Sequence, residues 1–183
     1  MQKVLRAISF SKQLAFTALF AALCCVGTAV IAIPLPNGYF NVGDVFVLLS
    51  AWCLGPLYGS LAAGLGSALA DIVGGFAIYA PATFFIKALD GFVAYMVWSF
   101  LKKFFKSDGV DFIARILSGI AGEGCMLLGY FLYEWILYGV AAAAISIPAN
   151  ALQGLLCLIS GTAIISILYH VKAFASLFPP LKK

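Results

Sequence analysis

Six apolar segments, each near the length that crosses a lipid bilayer, fill most of this chain and leave it few folds to choose from. A membrane crossing needs about 20 apolar residues. The segments run from Ser11 to Ile33, Val45 to Leu57, Ser60 to Tyr79, Pro81 to Leu101, Phe112 to Val140 and Ile147 to Val171. Inside lipid every backbone N–H and C=O must be satisfied within the chain, so segments of this length must be helices. Of the 183 residues, 64% are apolar and 10% charged, whereas soluble domains are near half apolar and a quarter charged. The expected fold is all-α and integral to the membrane, a six-transmembrane-helix bundle in which residues 1–183 form a single domain. The second segment is short and reaches full length only if the chain is already at membrane depth near Tyr39.

Basic residues set the expected orientation, because Lys and Arg concentrate in cytoplasmic loops. They gather at Lys3, Arg6 and Lys12, at Lys102, Lys103 and Lys106, and at Lys172, Lys182 and Lys183. The intervening loops, Pro34–Asp44, the residues near Ala80 and Ala141–Ser146, hold none. Six crossings with both termini in the cytoplasm put every cluster on one side. The net charge of +4 therefore reports topology and not nucleic acid binding. The N-terminal segment is too long for the apolar core of a removable signal and lacks its small-residue cleavage site, so it is expected to be a retained span. Cys24, Cys25, Cys53, Cys125 and Cys157 all fall in apolar segments without metal-ligand spacing, and they are expected to pack as small apolar residues. His170, beside Lys172, fits an interfacial position. No metal or cofactor is expected.

Charged residues within spans cost at least about 2.5 kcal/mol each on insertion and usually face a cavity or a partner. Several are Asp71, Lys87, Asp90, Glu123 and Glu134, with Asn150 and Gln153 beginning the last span. In a six-span topology all fall in the outer half or near mid-depth. Glu123, Leu127, Tyr130 and Glu134 share one helix face. Tyr39, Phe40, Tyr79, Tyr133, Trp135 and Tyr138 gather at the same level, either as an interfacial belt or as pocket walls. Lys87 can pair with Asp90 or Asp71, and the remaining acids must be protonated, hydrated or matched by donors on a ligand. That balance favours a neutral, hydrogen-bonding heteroaromatic ligand, or one with a basic nitrogen. Nucleotide-binding and hydrolytic motifs are missing, so an enzyme is not expected and any ATP-driven step needs another chain. Small residues line the first span (Ala18 and Ala22; Thr17, Ala21 and Cys25) and the third (Ser60, Gly64 and Ala68; Ala62, Gly66 and Ala70). Such rows allow close helix approach. Bundle packing is expected for the third, and for the first either packing or a docking face.

The chain resembles the S components, the substrate-binding membrane subunits of energy-coupling factor (ECF) vitamin transporters. The residues that carry the resemblance are Ala18 and Ala22, Asn41-Val-Gly-Asp44, Gly66-Ser-Ala-Leu-Ala-Asp71, Tyr79-Ala-Pro-Ala-Thr83, Lys87-Ala-Leu-Asp90-Gly91 and Pro148-Ala-Asn150-Ala-Leu-Gln153. It is most similar to the riboflavin, hydroxymethylpyrimidine and pyridoxine branch. The resemblance implies a multi-pass protein of the cell membrane that captures a vitamin or precursor from outside. It also implies delivery through a transmembrane T subunit driven by two ATPase subunits, with docking through Ala18 and Ala22. By position, Asn41 and Asp44 belong to a lid region, and Lys87, Glu134, Trp135, Asn150 and Gln153 lie near the ligand. Asp90, Glu123 and Tyr130 join this candidate site from the depth argument. The charge balance favours a pyridoxine- or hydroxymethylpyrimidine-like ligand, with riboflavin also admitted. The alternative is a self-sufficient proton-coupled carrier or exporter using Glu123 or Asp71, against which stand the short chain and the lack of an inverted repeat.

Overall fold

The computed structural model describes residues 10–30, 32–35, 38–104 and 108–178. Lys3, Arg6, Lys106, Lys182 and Lys183 of the topology argument lie outside them, as does the side chain of Tyr39. The elements are α1 (Phe10–Val30), β1 (Ala32–Leu35), β2 (Gly38–Asn41), α2 (Gly43–Val73), α3 (Ala80–Phe104), α4 (Asp108–Tyr138), α5 (Val140–His170) and the short α6 (Lys172–Leu177). Five of the helices are long and apolar enough to cross a membrane.

One of the five is two helical arms joined at a bend. Gly55, within α2, has φ 86° and ψ −175°, a combination that is essentially restricted to glycine. Pro56 follows, and its fixed φ and missing N–H suit the first turn of a new helix. Beyond the bend Ser50 Oγ donates to the Gly59 carbonyl at 3.0 Å, and Val47 joins Ala63 in one packed cluster. A straight helix would hold Val47 and Ala63 about 24 Å apart, so the chain doubles back. The arms 43–54 and 56–73 bring the apolar helical segments to the six expected. The first arm rises only about 18 Å, short of the ~30 Å hydrocarbon core.

Close contacts at glycines order the bundle. Gly64 lies against Phe84 and Ala88, Gly122 against Asp90 and Ala94, and Gly119 against Leu158. These contacts make α3 antiparallel to the second arm of α2, α4 to α3, and α5 to α4. Gly161 of α5 approaches Val45 and Leu48, so the first arm of α2 becomes the central post. Val47, Leu48, Ala51 and Trp52 on that arm are fully buried. Gly66 faces the Ala21 carbonyl and Cys24, so this small-residue row packs within the bundle, as expected. Phe85, Phe100, Phe104, Ile120 and Ile136 are instead exposed, a surface that lipid covers without penalty and water would not. On α1, Thr17, Phe20, Cys24 and Gly27 turn inward, while Ala18 and Ala22 are exposed with Leu14, Leu19 and Val26.

Three expected boundaries move. The polar stretch after α1 is an antiparallel hairpin, pairing Ala32 with Asn41 and Leu35 with Gly38. The third pass ends at Val73, and a turn over residues 74–79 precedes α3. The expected loop Ala141–Ser146 is helical. Its alanines are strong helix formers, and the reversal between α4 and α5 is confined to Gly139, at φ 87°. The hairpin, residues 74–79 and Gly139 meet at one end of the bundle. The bend at Gly55 and α6, whose neighbour Phe178 packs 5.0 Å from Phe16, mark the other.

Candidate binding site

Gly43–Val73 begins with Asp44 in its first turn, where the helix dipole favours a carboxylate. Asp44 is nonetheless completely buried, so it needs partners from other elements. Lys87, seven residues into α3 and 3% exposed, forms an ion pair with Asp44 Oδ1. Gln153 Nε2, from α5, donates to Asp44 Oδ2 at 2.6 Å. Gln153 Oε1 accepts from the Asn41 backbone N–H at 2.9 Å and from Asn41 Nδ2 at 3.2 Å. Asn41 Oδ1 accepts from the Gly43 N–H at 2.9 Å, which fixes the passage from β2 into α2. Asn41, Asp44, Lys87 and Gln153 thus form one closed hydrogen-bonded network joining the hairpin, α2, α3 and α5.

The ion pair differs from the expected one. Spacing along α3 offered Asp90 to Lys87, or Asp71 across the bundle, but Asp44 is held directly against the ammonium and takes its proton bonds. Lys87 Nζ also lies 5.4 Å from the centre of the Tyr130 ring, a cation–π distance, and Tyr130 OH bonds Thr83 Oγ1 at 3.1 Å.

Below this network sit two carboxyl groups without hydrogen-bond partners. Both oxygens of Asp90 and both of Glu123 are buried and unmatched. Backbone glycines make the room. A Cβ on Gly122 would stand 2.4 Å from Asp90 Oδ1, and one on Gly154 would stand 3.0 Å from Glu123 Oε2. Buried acceptors of this kind call for an explanation, such as a ligand, an ion or water.

The remaining candidates separate from the network. Glu134 is buried on α4 and bonded to Ser146. It belongs to a tyrosine group at the hairpin end, where the rings of Tyr79 and Tyr133 meet at 5.5 Å and those of Tyr79 and Tyr138 at 6.5 Å. Trp135 points outward, 50% exposed, with its ring 6.1 Å from Phe131. Asn150 is half-buried, one turn before Gln153.

Sequence reasoning gave Thr83 no place in the site and passed over a whole second polar group toward the opposite end. There Arg115 is 2% exposed, its Nε donates to Asp111 Oδ2 at 3.0 Å, and its guanidinium lies 4.7 Å from the Trp98 ring and 5.4 Å from that of Trp52. The available signal was an arginine four residues after an aspartate in an otherwise apolar run.

Three comparisons bear on the family. A family model described as "ECF-type riboflavin transporter, S component" matches residues 9–170. A Pyrococcus woesei protein named "Uncharacterized protein in gap 3'region" is 35% identical over 139 residues, spanning 74% of this chain and 87% of that protein. A solved structure titled "Structure and mechanism of the S component of a bacterial ECF transporter" superposes with a TM-score of 0.66 at 21% identity, covering 89% of this chain and 98% of that one. The last likeness is one of fold.

Proposed function

Because the chain belongs to the family of ECF-type riboflavin transporter S components, the multi-pass substrate-binding subunits of ECF transporters, we propose that it captures a nitrogen heteroaromatic vitamin at the Asn41–Asp44–Lys87–Gln153 network. A T subunit and an ATPase pair then drive its delivery. The observation that carries this reading is the network itself. Four polar side chains from four elements are buried together where lipid exacts a cost for each. A bundle needing only stability would do as well with apolar packing at that place.

The network presents both polarities to a planar ligand. Lys87 and the Gln153 amide donate, while Asp44 and the Gln153 carbonyl accept. Tyr130 supplies a flat wall beside them. Entry requires β2 to part from α5, because the bonds of Gln153 to Asn41 close the network from the hairpin side. Asp90 and Glu123 add acceptor capacity and favour ligands rich in hydroxyl or amine donors over carboxylates and phosphates. Riboflavin, pyridoxine and hydroxymethylpyrimidine all meet that description, and the family description puts riboflavin first.

The exposed Ala18–Ala22 stripe of α1 serves as the docking face for the T subunit, since small residues allow close backbone approach. Titration of the purified, ligand-stripped protein with riboflavin, pyridoxine, hydroxymethylpyrimidine and biotin tests the reading. One of the first three should bind with a clear preference over biotin. Saturable binding of biotin alone would overturn the chemical class. Uptake by vesicles holding this protein alone, driven by a pH gradient, would favour a self-sufficient carrier instead.

A further inference from the structure

We propose that Arg115, Lys102 and Trp98 form a binding site for the phosphate of an anionic phospholipid, at the end of the bundle away from the substrate network. The guanidinium of Arg115 is not satisfied within the protein. Only Nε of Arg115 has an acceptor, Asp111 Oδ2, while Nη1 and Nη2 are buried with no hydrogen-bond partner. Asp111 divides its remaining capacity, since its Oδ1 accepts from Trp98 Nε1 at 2.9 Å. Ser118 Oγ donates to the Arg115 carbonyl and accepts from Trp52 Nε1, and neither Nη is bonded to it. Four N–H groups are left facing indole surfaces, which are weak acceptors compared with oxygen.

A second cation is present at the same ring. Lys102 Nζ lies 4.6 Å from the centre of Trp98. An anion with several oxygens supplies the acceptors that the guanidinium lacks, and Arg forks suit phosphate in particular.

The surroundings favour lipid as the source of that phosphate. Lys102 is two residues from the end of α3, and Arg115 is about 10 Å along α4 from its start, which is headgroup depth for a helix end. Phe100, Phe104, Phe112 and Ile113 flank the cations and are 46–65% exposed, an apolar surface along which acyl chains can lie. Basic pockets between membrane helices recur as sites for anionic headgroups.

Native mass spectrometry of the detergent-purified protein, titrated with phosphatidylglycerol or phosphatidylcholine, tests the proposal. One phosphatidylglycerol should be retained in clear preference to phosphatidylcholine. Lys102→Gln should weaken that retention about fivefold, the worth of one basic side chain at an anionic lipid surface. Arg115→Lys should also weaken it, and Lys102→Gln keeps the test open if the arginine variant fails to fold. Equal retention of both lipids, or an unchanged preference in Lys102→Gln, overturns the site. Displacement of the lipid by millimolar inorganic phosphate would overturn the assignment to lipid.

Discussion

Gln153 has both ends of its amide in use, one accepting from Asn41 and the other donating to Asp44, so its orientation is set by its neighbours. Asp44 in turn is the sole carboxylate bonded to Lys87 among the described contacts. Asp44→Asn strands a buried ammonium and should lower stability by about 3–5 kcal/mol, whereas replacing both partners with apolar residues should recover much of the loss. Thermal unfolding of Asp44→Asn and of Asp44→Leu combined with Lys87→Met checks this, and equal losses in the two would deny the ion pair its role. Gly122→Ala drives a methyl to 2.4 Å from Asp90 Oδ1 and should cost about 1–3 kcal/mol. Gly124→Ala, which meets open space, should be nearly neutral and is the control. Most of these polar residues were legible because each breaks the apolar run that surrounds it. Their pairing was not. Asp90 stands three residues from Lys87 and was the local choice, while Asp44 lies 43 residues away and meets Lys87 only through the packing of α2 on α3.

At the scale of elements, the reversal inside α2 depends on one dihedral pair. Gly55→Ala places a side chain at φ 86°, and a strain of about 1–3 kcal/mol follows. Its unfolding midpoint should fall, while Leu57→Ala, on a lipid-exposed position, should change little. If the two substitutions cost the same, the bend is not held by glycine. The hydrophobic lengths gave the apolar segments, because that signal is local. The hairpin was read as loop, since Pro34 and Pro36 mask strand character and its pairing partner is the loop itself. The helical start of α5 was missed because Pro148 reads as a helix opener, though it lies eight residues into the helix. Arg115 escaped notice for a further reason. Its aromatic partners Trp52 and Trp98 come from two other elements, and no spacing in α4 betrays them.

For the whole molecule, two faces carry the account: a buried polar network under the hairpin and an exposed small-residue stripe on α1. Ala18→Trp or Ala22→Trp should abolish transport by the assembled complex and leave ligand affinity of the isolated subunit unchanged, as paired uptake and binding assays would reveal. Loss of both together would remove the stripe from docking. Asn150→Ala should weaken binding by about 1–3 kcal/mol if this half-buried amide reaches the ligand, and unchanged affinity would exclude it. The central claim is that the network beneath the hairpin is where substrate is recognised, and calorimetric titration of the preferred vitamin into wild type, Gln153→Ala and Trp135→Ala addresses it most directly. The account predicts at least about tenfold weaker binding for Gln153→Ala, the scale of a buried hydrogen-bond partner lost, with Trp135→Ala close to wild type. Unaltered affinity in a folded Gln153→Ala protein would contradict it.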